Sequence, residues 1–354
     1  MPTRTTALTA AAALIAGLGT TAYATPPSPT PPAPAAARPL AGMRILISND
    51  DSMQAAKASN SDGLGLYELR RAICAAGADV VVMAPWQVQS GRGTAVTNGG
   101  VLHVQQRTEL PAAYRGDCSG APSGGRVYGV CLADGPCGPD TPSATPADTV
   151  KLALRGGLAA KAGWTEGPDL VLTGINSGWN VSASVNDSGT VGAAVAAIDA
   201  GVPAVAFSSS GDRDFTSFPL VNYRAHAEFG ARFVAGLKEK GLLTDEFAVK
   251  VDYPDVSEGQ RARPPVWTRV GDGAVAFHAY EQQGAGDAFR IVLGLCDGTG
   301  ECAETRRDAD STWVQRGHIT VAPLTWDRTY GTSVEGRGEL RRLERYVERD
   351  APRS

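Results

Sequence analysis

Four short apolar runs, separated by stretches with helical spacing, constrain this chain more than any other feature. The runs are MRILIS (43–48), ADVVVMAP (78–85), PDLVLTG (168–174) and VPAVAFS (202–208). Between the first two, LGLYELRRAICAAG (64–77) repeats apolar residues at helical spacing and stops at Gly77. Before the third, TVKLALRGGLA (149–159) reads as a helix with Asp148 placed to cap it, and SGTVGAAVAAIDAG (188–201) reads as another before the fourth. Strand and helix in alternation predict an α/β, Rossmann-like three-layer fold, with a mostly parallel sheet covered by helices on both faces.

In such sheets ligands bind where loops leave the carboxyl ends of the strands. The loops after the first three runs carry Asn49-Asp50-Asp51, Ser90-Gly91 and Asn176-Ser177-Gly178, so polar groups converge on one edge. Two adjacent carboxylates are costly to keep ionised together unless a cation neutralises them. Oxygen donors favour magnesium, manganese or calcium over zinc, and the Ser90 hydroxyl and Asn176 carbonyl can add to Asp50 and Asp51. Simple capping of the next segment by the paired Asp is the structural alternative. Ser188, Gly189 and Thr190 open a helix, whose unpaired N–H groups suit a phosphate. Ser188 serving only as a helix cap is the competing reading.

Beyond residue 215 the pattern changes. A helix near 223–240 is followed by FAVKVDYP, VAFHAY, FRIVLGL and HITVAPL, which predict a β-rich, partly antiparallel C-terminal extension. The tail, residues 331–354, is charged, with Leu340, Leu343 and Val347 on one helical face. Either a solvated end or an interface helix fits it.

At the other terminus, residues 1–24 read as an export signal with Ala22-Tyr23-Ala24 as cleavage site. Residues 25–41, rich in Pro and Ala, read as a disordered linker, and 42–330 as one folded domain. The apolar stretch of the signal is too short for a stable span, so no membrane insertion is expected. Export, to a periplasm or beyond the cell, agrees with six cysteines. Cys296 and Cys302 flank a Gly-rich turn and are expected to pair, while Cys118, Cys131 and Cys137 crowd a Gly/Pro-rich insertion around 116–140. A formal charge of −4 without a basic face argues against a nucleic-acid partner.

ILISNDD, APWQVQSG, ATPADTVKLAL, PDLVLTGINSGWN and DSGTVGAA, in this order and spacing, resemble the motifs of the SurE family of 5′/3′-nucleotidases and acid phosphatases. The match covers about residues 43–210, and TVAPLTWD resembles a later segment. The resemblance implies hydrolysis of phosphate monoesters, with a nucleotide or another small phosphorylated substrate. It implies one divalent cation per subunit on Asp50, Asp51, Ser90 and Asn176, with Asp50 and Asp51 also catalytic. It places phosphate or substrate at Asn49, Gly91, Asn180, Ser188, Gly189 and Thr190, and implies a homo-oligomer, dimer or tetramer. Ser52 where the family has Gly, a longer loop (MQAAKASNSDGLG) and the Cys-rich insertion are departures that bear on substrate range.

Two alternatives remain at this point. Asp212-Arg213-Asp214-Phe215-Thr216 spells the D-x-D-x-T of haloacid-dehalogenase phosphatases, although the preceding strand ends earlier. An exported module that binds a phosphorylated ligand or a metal without turnover would use the same donors. No G-x-S-x-G elbow and no P-loop occur, and His103, His226, His278 and His318 lie outside the strand-end motifs.

Overall fold

The computed structural model describes residues 38–55, 62–212, 217–296, 298–327 and 337–349. The signal reading, residues 25–37 of the linker, residues 331–336 and 350–354 of the tail, part of the long loop after Asp51 and Arg213–Thr216 lie outside them.

Each apolar run is a strand: β1 (Arg44–Ser48), β2 (Asp79–Pro85), β5 (Leu170–Ser177) and β6 (Ala204–Ser209). Between β2 and β5 lie β3 (Leu102–Gln106) and β4 (Val127–Leu132). The nine-stranded sheet runs β3-β4-β2-β1-β5-β6 and continues through β7 (Ala248–Tyr253), β11 (His318–Leu324) and β8 (Arg263–Trp267). From β4 to β7 all neighbours are parallel, whereas β3 pairs antiparallel with β4 and β11 antiparallel with β7 but parallel with β8. β9 (Ala276–Gln282) and β10 (Phe289–Leu295) form a separate antiparallel ribbon. The expected parallel sheet and β-rich extension are therefore both present.

Alternation along the strands builds two cores. Ile45, Ile47, Val80, Val82, Leu170 and Leu172 face α1 (Leu64–Ala75) and α5 (Leu220–Glu239). Leu46, Val81, Met83 and Val171 face α2 (Pro146–Leu152), α3 (Leu158–Ala162) and α4 (Gly189–Ile198). With strands buried on both faces, near-continuous apolar sequence is what the physics requires. Two short helices complete the set, α6 (Asp310–Gln315) and α7 (Arg337–Arg349), the latter exposing Tyr346 and Val347. No described helix is long and apolar enough to cross a membrane.

Two expectations are corrected. The cap of α2 is Thr145: its hydroxyl accepts from the Asp148 N–H (3.0 Å) and Asp148 reciprocates at the third helical position. Pro146, with its fixed φ, starts the helix earlier than the apolar spacing suggested. The segment 116–140 is more than an insertion, since it contains β4, a core strand parallel to β2. Its cysteines also divide: Cys118 reaches Cys74 on α1, and Cys131 bonds Cys137. Cys296 pairs with Cys302, as the turn between them predicted.

Candidate active site

β1 lies at the point where the strand order reverses, with β2 on one side and β5 on the other. A crevice opens beyond the carboxyl ends of strands at such a point. Asn49, Asp50 and Asp51 follow β1 directly, and all three are buried. The Asn49 amide donates to the Ser52 carbonyl (3.0 Å) and so closes the turn that carries the two carboxylates. Its own Oδ1 is buried without a hydrogen-bond partner among the described residues.

The loop after β2 is drawn to this turn by the Gln89 N–H, which donates to the Asp50 carbonyl at 2.7 Å. Ser90 and Gly91 come next and are exposed at the mouth, Gly91 with φ +76°.

β5 delivers the third group of residues through a bulge. Its register with β6 slips between Thr173 and Asn176, at Gly174. Gly174 has φ +114°, and a Cβ there would lie 2.2 Å from the Phe207 carbonyl oxygen, so only glycine fits. Such bulges re-aim the residues that follow. Asn176 donates from Nδ2 to the Gly178 carbonyl (2.9 Å), which leaves Oδ1 as an acceptor. Ser177 donates both its N–H (2.7 Å) and its hydroxyl (2.9 Å) to Oδ2 of Asp51. The Tyr223 hydroxyl on α5 lies 2.7 Å from the Ser177 oxygen; with the Ser177 hydrogen committed to Asp51, Tyr223 is the donor.

α4 closes the site. Ser188 caps it, its hydroxyl accepting from the Val191 N–H at 3.0 Å, so the capping reading of that side chain holds. The helix start therefore has main-chain N–H groups and the positive dipole end to offer an anion. Thr190 donates its hydroxyl to Asp50. A Cβ on Gly189 would stand 2.7 Å from Cβ of Asp50, so the helix start packs on the carboxylates with no side chain between. Asn180, in the loop between β5 and α4, donates from Nδ2 to the Ser208 hydroxyl at 2.8 Å.

Electrostatics single out Asp50. Burial first, and then the charge of Asp51, push its carboxyl up to about 7, against the lowering effect of the Thr190 hydrogen bond. No Lys or Arg is paired with Asp50 among the described residues. Every candidate donor is a hard oxygen: two carboxylates, the Asn176 carbonyl and the Ser90 hydroxyl. That set fits magnesium, manganese or calcium rather than zinc. Among the described residues no group of three or more His, Cys, Asp or Glu could hold a metal, so a cation at Asp50 and Asp51 would have to draw on neutral oxygen donors such as Ser90 and Asn176 as well.

Among the candidates from the sequence, Asp50 is thus joined to Thr190 at the α4 start and, through its carbonyl and Gln89, to the loop that carries Ser90 and Gly91, while Asp51 is joined to Ser177 beside Asn176. Asp212 follows β6 by three residues and accepts from the Ser217 hydroxyl at 2.9 Å. The histidines serve elsewhere: His226 is buried between Phe207 and Tyr253, and Nδ1 of His318 lies 2.9 Å from the Pro264 carbonyl. The sequence alone assigns no individual role to Ser177 or Tyr223. A serine beside Asn176 was visible, but its two bonds to Asp51 depend on the bulge, and Tyr223 carried no local signal.

Comparison with known proteins bears on the family and the fold. Residues 45–276 match the family described as Survival protein SurE. The 5′-nucleotidase SurE of Geotalea daltonii is 32% identical over 292 residues, which cover 82% of this chain and 96% of that protein. That of Synechococcus elongatus is 30% identical over 311 residues, 85% of this chain and 100% of that one. The crystal structure of the SurE protein from Aquifex aeolicus has the same fold, with TM-score 0.57 and 24% identity over 85% of this chain and 99% of its own. A family match over more than half the chain, together with these relatives, establishes that the chain belongs to the SurE family.

Proposed function

We propose that this chain hydrolyses phosphate monoesters, nucleoside 5′- or 3′-monophosphates in particular, and releases inorganic phosphate with the help of a divalent cation. The observation that carries the reading is the seating of the α4 start on Asp50, an anion-binding helix end against a cation-binding carboxylate pair. The nucleotidase names of the relatives support the substrate class.

Asp50, Asp51, Asn176 and Ser90 would hold the cation, which when bound supplies Lewis-acid neutralisation at a phosphate oxygen. The remaining phosphate oxygens face the first turn of α4, with Asn180 and Gly91 flanking. Thr190 and Ser177 fix the orientation of the two carboxylates, and Tyr223 fixes Ser177. Phosphoryl transfer demands positioning and charge neutralisation more than covalent help, so water can attack without a Ser or His nucleophile.

The three cystines favour an exported protein acting in a periplasm or outside the cell. A dimer or tetramer is the expected assembly, and the β9–β10 ribbon, with Tyr280, Phe289, Ile291, Leu293 and Leu295 exposed, is a surface that a second copy would cover.

The deciding experiment measures phosphate release from nucleoside monophosphates and from an aryl phosphate, with and without chelator. Asp51→Asn should abolish turnover and Asp212→Asn should leave it. Full activity of Asp51→Asn with loss in Asp212→Asn would sink the assignment.

A further inference from the structure

The loop from Asn176 to Thr190 carries a cation donor at one end and the phosphate-binding helix start at the other, yet its middle rests on the C-terminal half of the chain. The Asn180 N–H donates to Oδ1 of Asp252 (2.9 Å), on β7. The Ser182 N–H donates to Oδ1 of Asp310 (3.1 Å), the first residue of α6. Ser182 has φ +50°, an uncommon conformation for a non-glycine residue, and its hydroxyl is held by Oε2 of Glu304 (3.0 Å) and by Ser311 (2.8 Å). The Ala183 N–H reaches the Gly273 carbonyl at 3.0 Å.

Asp252 and Asp310 are fully buried, and a single cation serves both. Lys250, two residues before Asp252 and on the same face of β7, is itself fully buried and contacts both carboxylates, Asp310 at 2.9 Å. Burial works against a charged Lys250, but the two acids hold its pKa above the ordinary value. Removing one member of such a cluster leaves uncompensated charge inside the protein. The catalytic scheme uses none of the three.

We propose that Lys250 is a positioning residue: bound to Asp252 and Asp310, it fixes the two carboxylates that grip the main chain at Asn180 and Ser182, and through them sets Asn180 and the start of α4 against the phosphate. The C-terminal extension thereby takes part in catalysis without touching substrate. The assignment rests on the phosphatase reading above.

The test uses the full chain, first establishing that the wild type releases phosphate from an aryl phosphate, whose failure would count against the phosphatase reading alone. Lys250→Met and Asp252→Asn are then compared for kcat, KM and competitive inhibition by inorganic phosphate, well below their melting temperatures. Displacement of positioning groups by about 1 Å costs on the order of 100-fold, so kcat should fall by at least ~10-fold while KM and the phosphate inhibition constant both rise. A purely structural role would reduce the active fraction and leave both constants unchanged. If Lys250→Met does not fold, Asp252→Asn decides, because it keeps the Lys250–Asp310 pair with one positive charge against one negative. A folded variant with kcat, KM and phosphate inhibition within about two-fold of wild type overturns the proposal.

Discussion

Thr190 donates its hydroxyl to Oδ1 of Asp50, joining the first turn of α4 to the end of β1 across 140 residues of sequence. Both groups are buried, and hydrogen bonds to a charged acceptor are the stronger kind. Thr190→Val keeps the shape and removes the donor. Hydrogen bonds to charged groups contribute about 1.5–3 kcal/mol, so kcat should fall by roughly 10- to 100-fold. Thr190→Ser should restore most of it. Rates normalised to folded protein by circular dichroism check this, and an unimpaired Val variant would remove Thr190 from the site.

Close approach at α4 gives a steric prediction. A Cβ on Gly192 would lie 1.8 Å from the carbonyl oxygen of Gly93, in the loop that carries Ser90. Gly192→Ala must therefore push that loop off the helix, and both activity and melting temperature should drop. Gly236→Ala on α5 is the control, since a Cβ there meets nothing within 4 Å. It should leave activity unchanged and stabilise by about 0.4–1 kcal/mol. Thermal melts and phosphate release on the two variants separate crowding from helix propensity.

The site was legible in the sequence where buried strands end in polar residues. Asp50, Asp51 and Asn176 each follow a run too apolar to be anything but core, and a loop at the carboxyl end of such a strand has one place to go. What stayed hidden depends on contacts between distant segments. VYGVCL was masked by the Gly and Pro around it, although β4 pairs with β2 in the body of the sheet. RPPVW, with two prolines, did not read as a strand; β8 tolerates them because it lies at the sheet edge. Lys250 and Asp252 did leave a trace, two charges spaced for one face of an apolar strand, but Asp310, which shares Lys250 with Asp252, is 58 positions past Asp252 in the sequence.

The raised Asp50 carboxyl links stability to pH. Between its ordinary 3.8 and about 7 the folded state binds a proton that the unfolded chain has released. Stability present below that interval is lost as pH rises through it, and the loss is complete above about 7. At about 1.4 kcal/mol per pH unit, the upper bound is about 4 kcal/mol, reduced by any relaxation of the site. Chelator-treated Asp50→Asn should therefore melt higher than chelator-treated wild type near pH 8, with the difference shrinking towards pH 4. Adding a divalent cation at pH 8 should raise the wild-type melting temperature and leave the variant nearly unmoved. Equal responses of the two proteins to the cation would show that Asp50 is not a ligand.

His226 sets the opposite slope. Its ring on α5 packs edge-on to Phe207 at 5.2 Å and stacks on Tyr253 at 4.9 Å, and neither ring nitrogen has a hydrogen-bond partner among the described residues. Burial pushes the imidazole down to about 3 from an ordinary 6.5. The unfolded chain thus binds a proton in that interval while the folded state does not, so stability is fully present above about 6.5 and is lost as pH falls towards about 3. His226→Phe removes the titration and keeps both ring contacts. It also removes two buried nitrogens whose desolvation costs about 1–3 kcal/mol when unpaired, so the variant should be at least as stable as wild type at pH 7. Between pH 7 and pH 4 its melting temperature should fall less steeply. Melts at pH 7, 5.5 and 4 measure the two slopes, and parallel curves would mean that the acid sensitivity of this fold originates in other groups.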